Sequence, residues 1–289
     1  MIWQVGQQKI TFSEQGLIMG ILNVTPDSFS DGGQFTDTKS AVTQALQMLS
    51  DGADIIDIGG ESTRPGSPPV DESEELQRTL PVIQALRSTI PAHALISIDT
   101  SKAAVAEQAV AAGADIINDV TGFTNLAMVE VAAQTSAGIV CMHMKGTPQT
   151  MQNAPSYENV IDEITRFFQQ QLLTLNQAGI SSERICFDPG IGFGKRLQDN
   201  LDILNQLENL RVENRPLLMG LSKKSFIAKL LEEENLDSRH APTVALTALM
   251  AQRGANIHRV HEVKENVQAL RMMEAIRAVK KNPSPCAAS

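Results

Sequence analysis

The sequence predicts a (β/α)8 TIM barrel preceded by a short N-terminal β-hairpin, and three observations carry that expectation. Short runs dense in Ile, Val and Leu alternate with longer amphipathic segments almost from end to end. Eight such runs can be identified: Leu17–Asn23, Asp54–Gly59, Ala94–Asp99, Asp115–Asn118, Gly138–His143, Arg184–Asp188, Arg215–Gly220 and Asn256–His261. Most are nearly continuously apolar, as parallel strands covered on both faces must be. Their mean spacing of about 34 residues suits a βα unit. Third, polar residues gather at the C-terminal ends of the runs, where barrel enzymes build their sites. A doubly wound dinucleotide fold is disfavoured, because no GxGxxG follows the first run.

The elements follow in order. Residues Ile2–Phe12 are expected to form the hairpin or cap. Helices are expected at Lys39–Ser50, Ser73–Ser88, Lys102–Ala112 and Glu158–Gln177. The stretches DGADIIDIGG and AAGADIINDV read as two copies of one junction, in which a helix stops at glycine and Ala-Asp leads into a buried strand. One domain is expected over residues 1–281, and the Pro-containing tail 282–289 is expected to be disordered.

Composition narrows the chemistry. Thirty-three acidic residues against 24 Lys and Arg give a formal charge of −9, which argues against a nucleic-acid surface, since such surfaces are basic. Cys141, Cys186 and Cys286 show no CxxC spacing, and the first two fall in apolar runs, as buried reduced cysteines do. The N-terminus lacks a basic start followed by an apolar run. No stretch approaches the roughly 20 apolar residues of a membrane span. A soluble, cytoplasmic metabolic protein is expected.

Four runs end in Asn or Asp, at Asn23, Asp99, Asn118 and Asp188, and strand alternation puts Arg259 and His261 on one face of the eighth. One such residue alone usually caps a helix. Together at equivalent positions they form a convergent polar site. Asp and Asn suit a planar heterocycle rich in N–H donors, while Lys224, Arg259 and His261 suit phosphate. The glycine- and hydroxyl-rich loops Val24–Gly33 and Gly59–Pro69 have the length of lids. Phe29 in the first has little to pack against until something binds. Asn23 and Asp31 offer oxygens for Mg2+ against a diphosphate. Cys141 and His143 share a strand face but are too few for zinc. The glycine-rich Asp188–Lys195 does not have Walker A spacing and is expected to wrap a ligand edge, with Phe193 as an apolar face. His93, His240 and His258 lack evident partners, and Glu232–Glu234 reads as a solvated helix end.

The stretches MGILNVTPDSFSDGG (19–33), DIGGESTRPGS (57–67), SIDTSK (97–102), INDVTG (117–122), FDPGIGFGK (187–195), GLSKKSF (220–226) and RVHEV (259–263) resemble those of the dihydropteroate synthases, and the resemblance spans residues 16–281. It implies a usually homodimeric barrel enzyme that condenses 6-hydroxymethyl-7,8-dihydropterin diphosphate with p-aminobenzoate, and a target of sulfonamides. It further implies that Asp99, Asn118, Asp188 and Lys224 hold the pterin, with Met142, Phe193 and Gly220 lining its slot. Arg259 would stack on the ring and reach the diphosphate, which Asn23 and His261 also bind, with Asn23 and Asp31 serving Mg2+. Phe29, Thr63, Pro65 and Ser225 match the p-aminobenzoate pocket, and Arg64 would order the loops. Asn23, Lys224, Arg259 and His261 are the expected catalytic set. Two positions depart from the family pattern: Lys223, expected to face outward, stands where Arg is more common, and Ser67 where Ala is. A methyltetrahydrofolate-dependent methyltransferase would share the Asp/Asn grip but needs neither the ESTRPG loop nor a diphosphate site. A non-catalytic pterin-binding paralogue would not require the complete contact set.

Overall fold

The computed structural model describes residues 1–13, 15–25, 34–62, 67–147, 150–152 and 154–281, with backbone alone at 34–37 and 280–281. The expected tail at 282–289 lies outside them. Strands β1 (Ile2–Val5) and β2 (Gln8–Thr11) pair antiparallel in the expected hairpin. The barrel strands are β3 (Leu17–Asn23), β4 (Ile55–Gly59), β5 (Leu95–Asp99), β6 (Ile116–Asp119), β7 (Gly138–Met142), β8 (Ile185–Asp188), β9 (Leu218–Gly220) and β10 (Ile257–Val260). They are parallel and ordered β8-β7-β6-β5-β4-β3-β10-β9. A parallel bridge between Phe187 and Leu217 closes the ring, with the Phe187 N–H donating to the Pro216 carbonyl at 3.0 Å.

Helices α1 (Gln34–Ser50), α2 (Glu72–Thr89), α3 (Ala103–Ala111), α4 (Leu126–Gln134), α5 (Val160–Gln177), α6 (Leu197–Asn205), α7 (Ser225–Leu231), α8 (His240–Gln252) and α9 (Val263–Lys281) follow the barrel strands. Among the described residues no helix is long and apolar enough to cross a membrane.

Strand alternation separates two cores. Outward-facing Ile56, Ile58, Ile96, Ile98, Ile117 and Ile139 pack under the helices. Inward-facing Met19, Ile55, Leu95, Ile116, Val140, Cys186, Leu218 and Ile257 meet Trp3 and Val5 of the hairpin in a separate apolar cluster. The hairpin thus plugs the N-terminal end of the barrel, with the Trp3 indole N–H donating to the Arg184 carbonyl at 2.9 Å. Burying each such side chain contributes roughly 1.5–3 kcal/mol.

Several strands are shorter than the apolar runs suggest, for local reasons. Asp54 and Asp115 precede β4 and β6, where their carboxylates accept the N–H groups of Ile18 (2.8 Å) and Ile96 (2.9 Å) on neighbouring strands. The Ala94 N–H closes a turn onto Pro91, and Arg184 ends a short 3-10 turn before β8. Pro216 has no N–H, and β9 begins two residues later. His261 donates its N–H to the Ser222 hydroxyl instead of to a strand, so β10 stops at Val260. Helix α1 begins at Gln34 rather than Lys39, over the stretch Gln34-Phe35-Thr36-Asp37-Thr38, which carries no apolar period. The repeated junction is as read: Gly52 and Gly113 stop α1 and α3 at φ +102° and +114°.

Candidate active site

One rung of the barrel carries the chemistry. Register aligns Asn23 with Gly59, Gly59 with Asp99, and Asp99 with Asn118 across β3 to β6. Each lies two or four residues beyond an apolar residue of the interior plug, as Leu95-Ser97-Asp99 and Ile55-Asp57-Gly59 show. The period of two that buries the plug therefore aims these polar groups into the opposite mouth. Met142 and Asp188 pair across β7 and β8, and Gly220 lies beside Arg259 across β9 and β10.

The eight residues expected to hold the pterin surround one narrow cleft: Asp99, Asn118, Met142, Asp188, Phe193, Gly220, Lys224 and Arg259. Val120, Gly190 and Ile191 complete its lining. Asn23, Ser225 and His261 stand outside this lining: Asn23 ends β3, exposed Ser225 opens α7 directly after Lys224, and His261 follows β10. Phe29, Asp31, Thr63, Arg64 and Pro65 lie outside the described residues.

Arg259 reaches across the barrel from β10. Its Nε donates to Asp57 Oδ2 at 2.5 Å and its Nη2 to Asp99 Oδ2 at 2.6 Å. Burial works against the cation, but the two carboxylates outweigh it and hold Arg259 charged. Asp57, fully buried, also accepts both 3.2 and 3.3 Å contacts from Asn118 Nδ2. Since a carboxylate only accepts, this orients the Asn118 amide and leaves its Oδ1 as an acceptor. Asp57 was not among the expected site residues. Its signal was present, as a carboxylate in the middle of the apolar run Ile55-Ile56-Asp57-Ile58.

Two carboxylates are primed for a donor-rich ligand. Asp99 Oδ1 is buried and has no hydrogen-bond partner among the described residues. Burial pushes the Asp99 carboxyl up to about 7; Arg259 opposes this and Asp57 adds to it. Burial also raises Asp188, against the Gly190 N–H that donates to its Oδ1 at 2.7 Å and the charge of Lys224. The Lys224 ammonium lies 4.2 Å over the Phe193 ring, a cation–π contact that positions both.

The glycine-rich loop after β8 is pinned by a second unforeseen residue, Lys195. Its buried ammonium lies 3.0 Å from His143 Nδ1, 3.2 Å from the His143 carbonyl and 3.0 Å from the Phe193 carbonyl, one acceptor for each proton. Burial lowers Lys195 to about 7 and His143 to about 2, so the imidazole is neutral and accepts. The loop fits so closely that a Cβ on Gly190 would sit 2.1 Å from the His143 carbonyl oxygen, at a φ of +66°. Two further contacts were not foreseen: the partly exposed Lys223 pairs with Glu262, and His240 Nδ1 lies 3.8 Å from the same carboxylate. Buried His258 is the orphan expected, with neither ring nitrogen bonded among the described residues.

A wider groove beside α5 is lined by Lys145, Ser156, Tyr157, Glu158 and Arg166. Its Lys145 is already paired with Glu163 at 3.0 Å and lies 4.2 Å over the Tyr157 ring, so it lacks the open acceptors of the barrel mouth.

Comparison with known proteins agrees with this geometry. Residues 19–261 match the family described as pterin binding enzyme. The Escherichia coli dihydropteroate synthase is 45% identical over 265 residues, covering 92% of this chain and 93% of its own. The Yersinia pestis dihydropteroate synthase, solved with a sulfonamide drug complex, superimposes with a TM-score of 0.89 at 43% identity, covering 96% of this chain and 100% of its own. The Burkholderia cenocepacia enzyme, solved with 7,8-dihydropteroate, gives 0.87 at 40% identity, covering 97% and 98%. Matched in this way over most of its length, the chain belongs to the pterin-binding enzyme family, among its dihydropteroate synthases.

Proposed function

We propose that the barrel mouth condenses 6-hydroxymethyl-7,8-dihydropterin diphosphate with p-aminobenzoate, giving 7,8-dihydropteroate and pyrophosphate. The observation that carries this reading is Asp99 Oδ1, without a hydrogen-bond partner among the described residues, beside Asp188 and the oriented Asn118, an acceptor set in a narrow apolar-walled slot. A pterin edge supplies the matching ring and amino N–H groups. Met142 and Phe193 take its faces, and Arg259, fixed by Asp57 and Asp99, offers its guanidinium face to the ring.

The reaction is a dissociative substitution. The bond from the exocyclic methylene to oxygen breaks, and the diphosphate leaves with the electron pair. Arg259 and His261 stabilise the charge that gathers on the leaving oxygens. The cation left on the methylene is delocalised into the dihydropterin ring and faces the carboxylates of Asp99 and Asp188. The arylamine lone pair then forms the C–N bond, and the nitrogen loses a proton to the released pyrophosphate or to water. A neutral arylamine needs no strong base.

Mg2+ is the implied cofactor. Among the described residues no group of three or more His, Cys, Asp or Glu could hold a metal. Mg2+ is commonly taken through one or two side chains and substrate phosphates, here Asn23 and Asp31, the latter outside the described residues. When bound it supplies charge neutralisation to the diphosphate. Phe29, Thr63, Arg64, Pro65 and Ser225 would form the p-aminobenzoate pocket, where sulfonamides would compete. The protein is read as cytoplasmic and homodimeric, its pairing face including exposed Leu249 on α8 and the stripe Met272, Ile276 and Val279 on α9. Pyrophosphate release that requires both substrates is the expected result; release driven by the pterin diphosphate alone at the same rate would refute the condensation.

A further inference from the structure

The two turns that bring cations to the barrel mouth are tied together twice. Ser222 lies in the turn after β9, two residues before Lys224, and His261 follows β10, two residues after Arg259. The His261 backbone N–H donates to Ser222 Oγ at 3.2 Å, and His261 Nδ1 lies 2.8 Å from the same oxygen. One residue further along each turn, the Lys223 ammonium pairs with the Glu262 carboxylate. Lys223 occupies the left-handed region at φ +56°, rare for a side chain of its size. Its N–H is held by Thr243 Oγ1 at 3.3 Å and its carbonyl by Arg239 Nη1 at 3.1 Å. These contacts fix where Ser222 points.

Counting protons fixes the state of the ring. A serine hydroxyl carries one proton and two lone pairs. Ser222 Oγ is buried, and both of its hydrogen bonds among the described residues are to His261. One lone pair takes the backbone N–H. If Nδ1 also carried a proton, the hydroxyl proton would be left buried without an acceptor, which folded proteins rarely tolerate. With Nδ1 bare, the hydroxyl donates to it and every group is satisfied.

We infer that Ser222 is a positioning residue that holds His261 as the neutral tautomer protonated on Nε2. The imidazole then presents an N–H donor on the side away from Ser222. This rests on the proposed reading that the diphosphate meets His261. A donor that needs no added proton strengthens its hydrogen bond as negative charge grows on the leaving oxygen. It also removes Nε2 as a proton acceptor, so His261 does not serve as a base toward the arylamine.

Long-range 1H–15N correlation spectra of histidine-labelled protein read this tautomer directly, without substrate. The His261 signals are assigned by their loss in His261→Gln. Wild type and Ser222→Thr are expected to carry one ring proton on Nε2 at neutral pH, and Ser222→Ala a mixture of tautomers. A proton on Nδ1 in the wild type, or a pattern unchanged in Ser222→Ala, overturns the inference. Turnover gives an independent reading. Ser222→Ala is expected to lower kcat about tenfold, with Ser222→Thr restoring it, and to have no further effect in a His261→Ala background. Equal losses in both backgrounds would mean that Ser222 acts by another route, and the inference fails. Should the tautomers behave as expected while His261→Ala leaves kcat intact, the ring is held as inferred, and it is the diphosphate assignment that falls.

Discussion

At the N-terminal end of the barrel, Asp54 and Asp115 commit their carboxylates to neighbouring strand N–H groups, and Asp115 also takes Arg87 at 3.0 Å. At the C-terminal end, Asp99 keeps one buried oxygen with no partner among the described residues, although Arg259 occupies the other. The two ends use the same residue types, each beside an Ile-rich strand, and differ in how fully their bonding capacity is used. A satisfied carboxylate stabilises the fold, whereas a buried acceptor left open is a cost that only a ligand removes. The distinction separates barrel bottom from active site more sharply than charge or burial does.

Removing a cation from each end should expose the contrast most. Arg259→Met leaves Asp57 and Asp99 buried without a counter-charge, and kcat/KM for pyrophosphate release is expected to fall by about 10³. Arg87→Met unpairs only a partly exposed Asp115 that keeps its bond from the Ile96 N–H, and it should leave kcat unchanged, with a loss of about 1 kcal/mol in denaturant unfolding. A comparable kinetic loss from both would erase the comparison. Next in size is the plug: Trp3→Ala should cost about 3–5 kcal/mol of stability with turnover per folded molecule intact. A kinetic defect that survives correction for the folded fraction would show that the ends are coupled.

Asp188→Asn keeps the acceptor for the Gly190 N–H and removes the charge. Pterin affinity in calorimetry is expected to drop about 30-fold, the value of one charge-assisted hydrogen bond. Unchanged affinity would remove Asp188 from the pterin site. The smallest effect concerns pH. With Asp99 raised to about 7, its carboxyl is mostly protonated below that value, and only the carboxylate accepts two N–H bonds. Pterin affinity should therefore rise about tenfold from pH 6 to pH 8, a rise that Asp99→Asn abolishes. Lys195, also lowered to about 7, would leave its own pH dependence in that variant if it governs binding instead.

Strand existence and order were legible because parallel strands covered on both faces read as unbroken Ile and Val. Their limits were not: Asp54 and Asp115 lie just before β4 and β6 although their backbones still bond to the neighbouring strands, and their carboxylates add a second link at the same place. The acidic and amide residues that line the cleft were legible from strand ends, yet Asp57 sits one alternation deeper and is visible only once Arg259 is seen to reach it over β3. Lys195 was hidden for a related reason: a lysine closing a glycine-rich loop suggests solvent or phosphate, and only the fold brings His143 over it. The pairing of Lys223 with Glu262 was hidden because the two are distant in sequence. Contacts between strands far apart in the chain leave no local period to read.

Trp3 is the only tryptophan in the chain, and it is wholly buried at the end of the barrel opposite the cleft. Its emission is therefore an optical gauge of whether the barrel remains closed, insensitive to what enters the other mouth. Ligand titrations will need a different chromophore, the pterin itself. In exchange, unfolding and binding can be followed at separate wavelengths in the same cuvette.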